Sequence, residues 1–141
     1  MNMSDRHLAE LVVDLDAIAH NVCVFREAAA PAGVLAVVKA DAYNHGVDVV
    51  APAMLDAGVE QLGVATLGEA LHLREILKSL GERYASAPIT AWMWTPDEDL
   101  AEVFAADINV GVPSLAHARS LVEQAEKAQQ EAQVSGPVRV T

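Results

Sequence analysis

VLAVVKADAYNHG, Val34 to Gly46, is the stretch on which the reading of this chain turns. Its first half, Val34 to Lys39, is a continuous aliphatic run rich in β-branched residues, the pattern of a parallel strand buried on both faces. The run ends on a lysine. Burying an ammonium without a partner is costly, so a lysine is expected only where such a strand gives out. In parallel α/β folds the carboxyl ends of the strands form the face that carries active sites, which makes Lys39 a candidate. The plainer alternative is a lysine that merely reaches solvent at a strand end. Tyr43, four residues on, stands at the mouth of the next helix, where a phenol can donate a hydrogen bond to an anion such as a phosphate.

Outward from this stretch, short apolar runs alternate with amphipathic ones. Upstream, Leu11 to Asp14 (LVVD) reads as a short strand. A helix follows from Asp16, with Ile18, Val22, Phe25 and Ala29 on one face, stopped by Pro31 and Gly33. Downstream, a helix is expected from Val49 to Ala57, with Asp48 as its N-cap and Pro52 tolerated near its start. Leu62 to Ala65 is a strand, and Thr66 with Glu69 forms a capping box that opens LGEALHLREILKSL. ITAWMW (Ile89 to Trp94) is another strand. Thr95, Pro96 and Glu98 supply the signals of a helix start, with Leu100, Val103 and Phe104 facing inward. Asn109 to Val112 is a brief strand, and Ser114 caps a long helix through Leu115, Ala118, Leu121, Val122 and Ala125. VRVT (Val138 to Thr141) begins one more strand. Connections this short between strands and helices permit only parallel crossovers. About five parallel strands follow the first short one, as an open doubly wound sheet or as part of a (β/α)8 barrel.

Composition narrows the function. The chain has 141 residues and a formal net charge of -11, which argues against nucleic acid or an anionic membrane surface as partner. No run reaches the roughly 18 apolar residues of a membrane helix, and the first ten residues lack the apolar core of a signal peptide. Cys23, the single cysteine, excludes an intrachain disulfide, fits a reducing cytoplasm and reads as a small apolar filler on the first helix. The histidines His7, His20, His72 and His117 show no metal-ligand spacing and read as surface residues, whereas His45 is read as a loop-ordering hydrogen bonder or a functional group. The acidic cluster Asp97, Glu98 and Asp99 suits the start of a helix better than a metal. Dinucleotide-binding, P-loop, zincin and nucleophile-elbow motifs are absent from the sequence.

VVKADAYNHG (Val37 to Gly46) resembles the lysine motif of the alanine racemases. VDLDAIAHN (Val13 to Asn21) resembles that family's opening helix, and GVATLGEALHLRE (Gly63 to Glu75) its second barrel unit. The similarity covers most of the chain and weakens after about residue 95. One departure is Asn44, where the family usually has glycine; asparagine is the non-glycine residue that best tolerates a left-handed backbone.

The resemblance implies an α/β fold, a partial (β/α)8 TIM-type barrel, with residues 1–141 as the N-terminal part of the barrel domain and a C-terminal β domain outside this chain. LVVD would belong with that β domain. The implied cofactor is pyridoxal 5'-phosphate, held by Lys39 as a Schiff base. Tyr43 would bind its phosphate, while Val37, on the same side of the strand as Lys39, and Trp92, from the third barrel strand, would line the cofactor pocket. Lys39 would also act as the base on one face of alanine. The implied enzyme is a cytoplasmic homodimer that interconverts L- and D-alanine for peptidoglycan, and its second base, a tyrosine of the partner subunit, lies outside this chain. Other pyridoxal-phosphate barrels, such as decarboxylases or small carrier proteins, and a non-catalytic, self-associating half-barrel are the competing readings.

Overall fold

The structure, a computed structural model, describes residues 10–130. The chain alternates α1 (Leu15–Ala29), β1 (Leu35–Val37), α2 (Lys39–Asn44), α3 (Val47–Asp56), β2 (Gln61–Thr66), α4 (Leu67–Ser79) and α5 (Glu82–Ala85). It continues through β3 (Ile89–Met93), α6 (Ala101–Ala105), β4 (Ile108–Val110) and α7 (Leu115–Gln130). All strand pairs are parallel, and the four strands lie in the order β1-β2-β3-β4. A doubly wound sheet reverses its order at a switch point. Unbroken sequential order is that of a β/α barrel, and this chain forms part of one. The strand expected at Val138 to Thr141 lies outside the described residues.

Register separates the two faces of the sheet. Val37 lies beside Gly63, Gly63 beside Thr90, and Thr90 beside Asn109. Successive side chains alternate, so Leu62, Val64, Ile89, Ala91, Ile108 and Val110 share the other face, and all are buried. They form the core with Val50 and Ala51 of α3, Ala70, Leu73 and Leu77 of α4, Val103 and Phe104 of α6, and Leu121 of α7. The helices therefore cover one face. The opposite face carries Leu35, Val37, Gly63, Thr90, Trp92 and Asn109.

At the amino ends of β3 and β4, Arg74 of α4 is 3% exposed. Its guanidinium donates to the carbonyls of Ala85 (2.7 Å), Ala87 (2.9 Å), Ala106 (3.0 Å) and Asp107 (3.1 Å). Burial pushes its pKa down, while the nearby Asp107 carboxylate opposes that shift. On α5, unforeseen in the sequence, the Tyr84 hydroxyl donates to both carboxylate oxygens of Asp56.

Several local expectations are corrected. Leu11 to Asp14 forms no strand, because no described segment pairs with it; Asp14 instead caps α1, accepting from the Ala17 amide at 2.9 Å. On α1, Val22 is buried, but Phe25 is 68% exposed and Cys23 is exposed as well. Phe25 borders an open groove between α1 and β1 that also takes in Val34, Leu35 and Val37. Helix α3 starts at Val47, two residues early, because Gly46 takes φ +85 and sets its N-terminus; Pro52 consequently lies beyond the first turn. Thr95 to Glu98 is a β-turn, closed by the Glu98 amide on the Thr95 carbonyl at 3.0 Å, with Pro96 at its second position. Helix α6 begins only at Ala101, whose amide donates to Asp99. On α7, Leu121 is buried, whereas Leu115 and Val122 are exposed.

Candidate active site at the carboxyl ends of the strands

Strand β1 ends at Val37, and the next amide, Val38, donates to the Gly63 carbonyl at 2.8 Å. Lys39 thus stands beyond the strand, and the conformation that follows, more than the strand's alternation, fixes its position. Ala40, Asp41, Ala42, Tyr43 and Asn44 all have φ between 50° and 63°. α2 is therefore a left-handed turn built from five L-residues. Left-handed helical backbone costs roughly 1–2 kcal/mol per residue outside glycine, and such strain persists only where its surroundings impose it.

Those surroundings are explicit. The Asp41 carbonyl accepts from the amides of His45 (3.0 Å) and Gly46 (3.1 Å), and the Asp41 carboxylate accepts from the Val47 amide at 2.7 Å. The His45 ring Nδ1 lies 2.9 Å from the Ala42 carbonyl, so His45 orders the loop. Ala42 is buried. Asn44 has φ 63, the conformation that its substitution for glycine has to accommodate.

The entrance to the turn is held from another unit. Glu69, at the third position of α4, forms the capping box with Thr66. One of its oxygens accepts from the amides of Ala65 (2.9 Å) and Thr66 (3.0 Å). The other accepts from the Ala40 amide at 2.8 Å. Burial alone would push the Glu69 carboxyl up; the donors from Ala40, Thr66 and Ala65 outweigh it and hold the group below its ordinary value of 4.5. The sequence announced the cap but not the bond to Ala40. A capping box defines what one carboxylate oxygen does and is silent about the other.

Lys39 is half-buried, and among the described residues no carboxylate forms an ion pair with it. Its Nζ lies 5.9 Å from the centre of the Tyr43 ring, so the structure brings these two residues together. Val37 and Trp92 share the sheet face not covered by α3, α4 and α6, at 37% and 36% exposure. Trp92 lies over Gly63: a Cβ built there would come within 2.4 Å of the indole and 2.6 Å of Leu35. A glycine is needed for that ring position. Beside it, Trp94 is buried and donates to the Gly111 carbonyl at 2.6 Å. His117, read as a surface residue, is half-buried. Its Nε2 lies 3.0 Å from the Trp94 carbonyl and its Nδ1 2.7 Å from the Ser114 hydroxyl, an arrangement that joins the ends of β3 and α7. No group of three or more His, Cys, Asp or Glu suited to a metal occurs among the described residues.

An unpaired primary amine, a phenol close by, and apolar walls on the adjoining strands make a donor set that suits an aldehyde-bearing aromatic ring with an anionic substituent.

The family described as "Alanine racemase, N-terminal domain" matches residues 13–135. The alanine racemase of Corynebacterium glutamicum is 46% identical over 111 residues, which are 79% of this chain and 29% of that protein. The solved alanine racemase of Streptomyces coelicolor A3(2) superposes with a TM-score of 0.77 at 37% identity, covering 91% of this chain and 31% of that one. The alanine racemase of Bartonella henselae with covalently bound pyridoxal phosphate superposes with a TM-score of 0.68 at 28% identity, over 85% of this chain and 31% of that one. The chain thus spans under a third of the length of these relatives.

Proposed function

Because this chain belongs to the alanine racemase N-terminal domain family, we propose that it supplies the lysine half of a pyridoxal-phosphate-dependent racemase acting on alanine. Residues 1–141 are then the N-terminal part of the barrel domain. The observation that carries the reading is Lys39 itself, an amine without an ion-pair partner among the described residues, set between a parallel strand and a strained turn, with Tyr43 beside it. The pyridoxal phosphate held by the Bartonella henselae relative supports the choice of cofactor.

Each residue has a role that follows from its chemistry. The Lys39 amine would hold the cofactor through its aldehyde and would take or return the proton at Cα of alanine on one face. The Tyr43 phenol donates a hydrogen bond to the cofactor phosphate. Val37 and Trp92 flank the ring and exclude water from it. Bound pyridoxal phosphate supplies the electron sink for the carbanion at Cα. Racemisation also needs a proton donor on the opposite face. Tyr43 is committed to the phosphate, and Tyr84 is bonded to Asp56 at the amino ends of the strands. Neither is placed for that task, and the resemblance to the alanine racemases implies that the second group is a tyrosine contributed by the partner subunit of a homodimer, so the 141-residue chain alone is expected not to racemise alanine. The assembled enzyme works in the cytoplasm and supplies D-alanine for peptidoglycan.

The test is incubation with pyridoxal phosphate, borohydride reduction and peptide mapping. The pyridoxyl group is expected on Lys39; label spread evenly over Lys39, Lys78 and Lys127 would remove the basis of the proposal. A D-amino-acid oxidase couple, run on the chain with excess pyridoxal phosphate and L-alanine, should give no turnover above that of free cofactor.

A further inference from the structure

The geometry points to Glu69 as a positioning residue for Lys39, acting through the Ala40 amide that its carboxylate ties to the end of β2. The inference rests on the proposed role of Lys39. Its basis is a division of labour within one carboxylate. One oxygen serves the N-terminus of α4, where the amides of Ala65 and Thr66 converge on it; the other accepts from Ala40, the residue directly after Lys39. Every hydrogen-bonding partner of those two oxygens is a donor or can act as one, the Thr66 hydroxyl included.

Helix stability accounts for only the first oxygen, because capping needs only the Thr66 side of the group. The second oxygen does nothing for α4. It fixes the backbone at the point where the chain leaves the β1 path and enters left-handed conformation, and so fixes where the Lys39 Cα stands relative to β2. An amine that must meet a bound carbonyl gains from that restraint, since misplacing a reacting group by about 1 Å can cost on the order of a hundredfold in rate.

Glu69→Gln separates the two jobs. Glutamine is accepted in a capping box, and its single carbonyl oxygen satisfies the larger donor set at Ala65 and Thr66. Its NH2 then meets the Ala40 amide donor to donor, and that arm is lost. Thr66→Val does the converse: it breaks the cap and leaves the Ala40 bond in place. Two readouts apply to the 141-residue chain: hydrogen exchange at the Ala40 amide, and the yield of borohydride-trapped pyridoxyl label on Lys39 relative to Lys78. In Glu69→Gln, Ala40 should exchange faster while the amides within α4 keep their rates, and the Lys39 to Lys78 ratio should fall by about tenfold. In Thr66→Val the ratio should hold although stability drops. An unchanged ratio in Glu69→Gln would overturn the inference, as would an equal fall in Thr66→Val, since helix integrity alone would then explain it. Wild-type chain labelled evenly at its lysines would instead sink the reading of Lys39 itself, and the inference with it.

Discussion

Arg74→Met should be among the most destabilising single changes in this chain. The side chain is 3% exposed and its guanidinium holds four backbone carbonyls, two just before β3 and two just before β4. A hydrogen bond from a charged donor contributes a net of about 1.5–3 kcal/mol, but bonds made by one group do not add. Removing the cation also removes its own burial penalty, the effect that pushes its pKa down. What remains is the loss of a buried network from one side, about 3–5 kcal/mol, against a total of about 5–15 kcal/mol for a domain. Methionine fills most of the arginine stem's volume, so the loss reports the hydrogen bonds and not a cavity. The assay is urea denaturation: with a slope of about 2 kcal/mol per molar, the midpoint should fall by about 2 M. Arg74→Lys should lie between the two, because one ammonium cannot span the acceptors that a planar fork reaches. A midpoint for Arg74→Met within about 0.3 M of wild type would refute the argument and show that the carbonyls find other donors.

Gly63→Ala should displace the Trp92 indole, because the new Cβ would come within 2.4 Å of it. Overpacking of this kind costs about 1–3 kcal/mol, and a shift in tryptophan emission with Trp94 replaced by phenylalanine as background would report the movement. Ala40→Gly should stabilise the chain by about 0.5–1 kcal/mol, since Ala40 is exposed and pays for φ 50 with its Cβ; a destabilised variant in urea would contradict the left-handed turn. The Glu69 carboxyl is held below its ordinary value of 4.5, so its contribution is fully present above that pH and disappears as pH falls through the lower folded value. Thermal midpoints measured from pH 6 downward should show an acid limb that Glu69→Gln flattens.

The architecture was legible because its signals are local and repeated. The aliphatic runs at Val34, Leu62 and Ile89 and the Thr66–Glu69 cap gave strands and a helix start where the structure has them, yet periodicity alone left two sheet topologies open. Strand order decided between them, and order is a property of pairing between distant segments. The candidate site residues Lys39 and Tyr43 stood out by type and spacing. The left-handed turn between them did not: Asn44 hints at positive φ, but Ala40, Ala42 and Tyr43 carry no such preference and take it because neighbouring groups impose it. Thr95 to Glu98 misled for a related reason, since the residues of a capping box also make a turn, and the helix of α6 waits for Ala101. Phe25 and Val122 have helical spacing but remain exposed, because spacing defines a face of a helix and not how far the neighbouring elements cover it.

The Ala40 amide finds its acceptor on a side chain 29 residues further along the chain. That distance has a consequence in time. A ribosome adds about 5–20 residues per second, so for a second or more after Lys39 is made, the turn that follows it lacks its anchor. The first β/α unit is therefore not self-sufficient: Asp41 and His45 close the turn from within, but the Ala40 amide at its entrance is held only when β2 and the first turn of α4 have arrived beside it. A chain severed between α3 and β2 would keep Lys39 and every residue of the turn. It would keep the contacts of Asp41 and His45 as well, but it would lose the Glu69 acceptor of the Ala40 amide, and the entrance to the turn beside the lysine would be left untied.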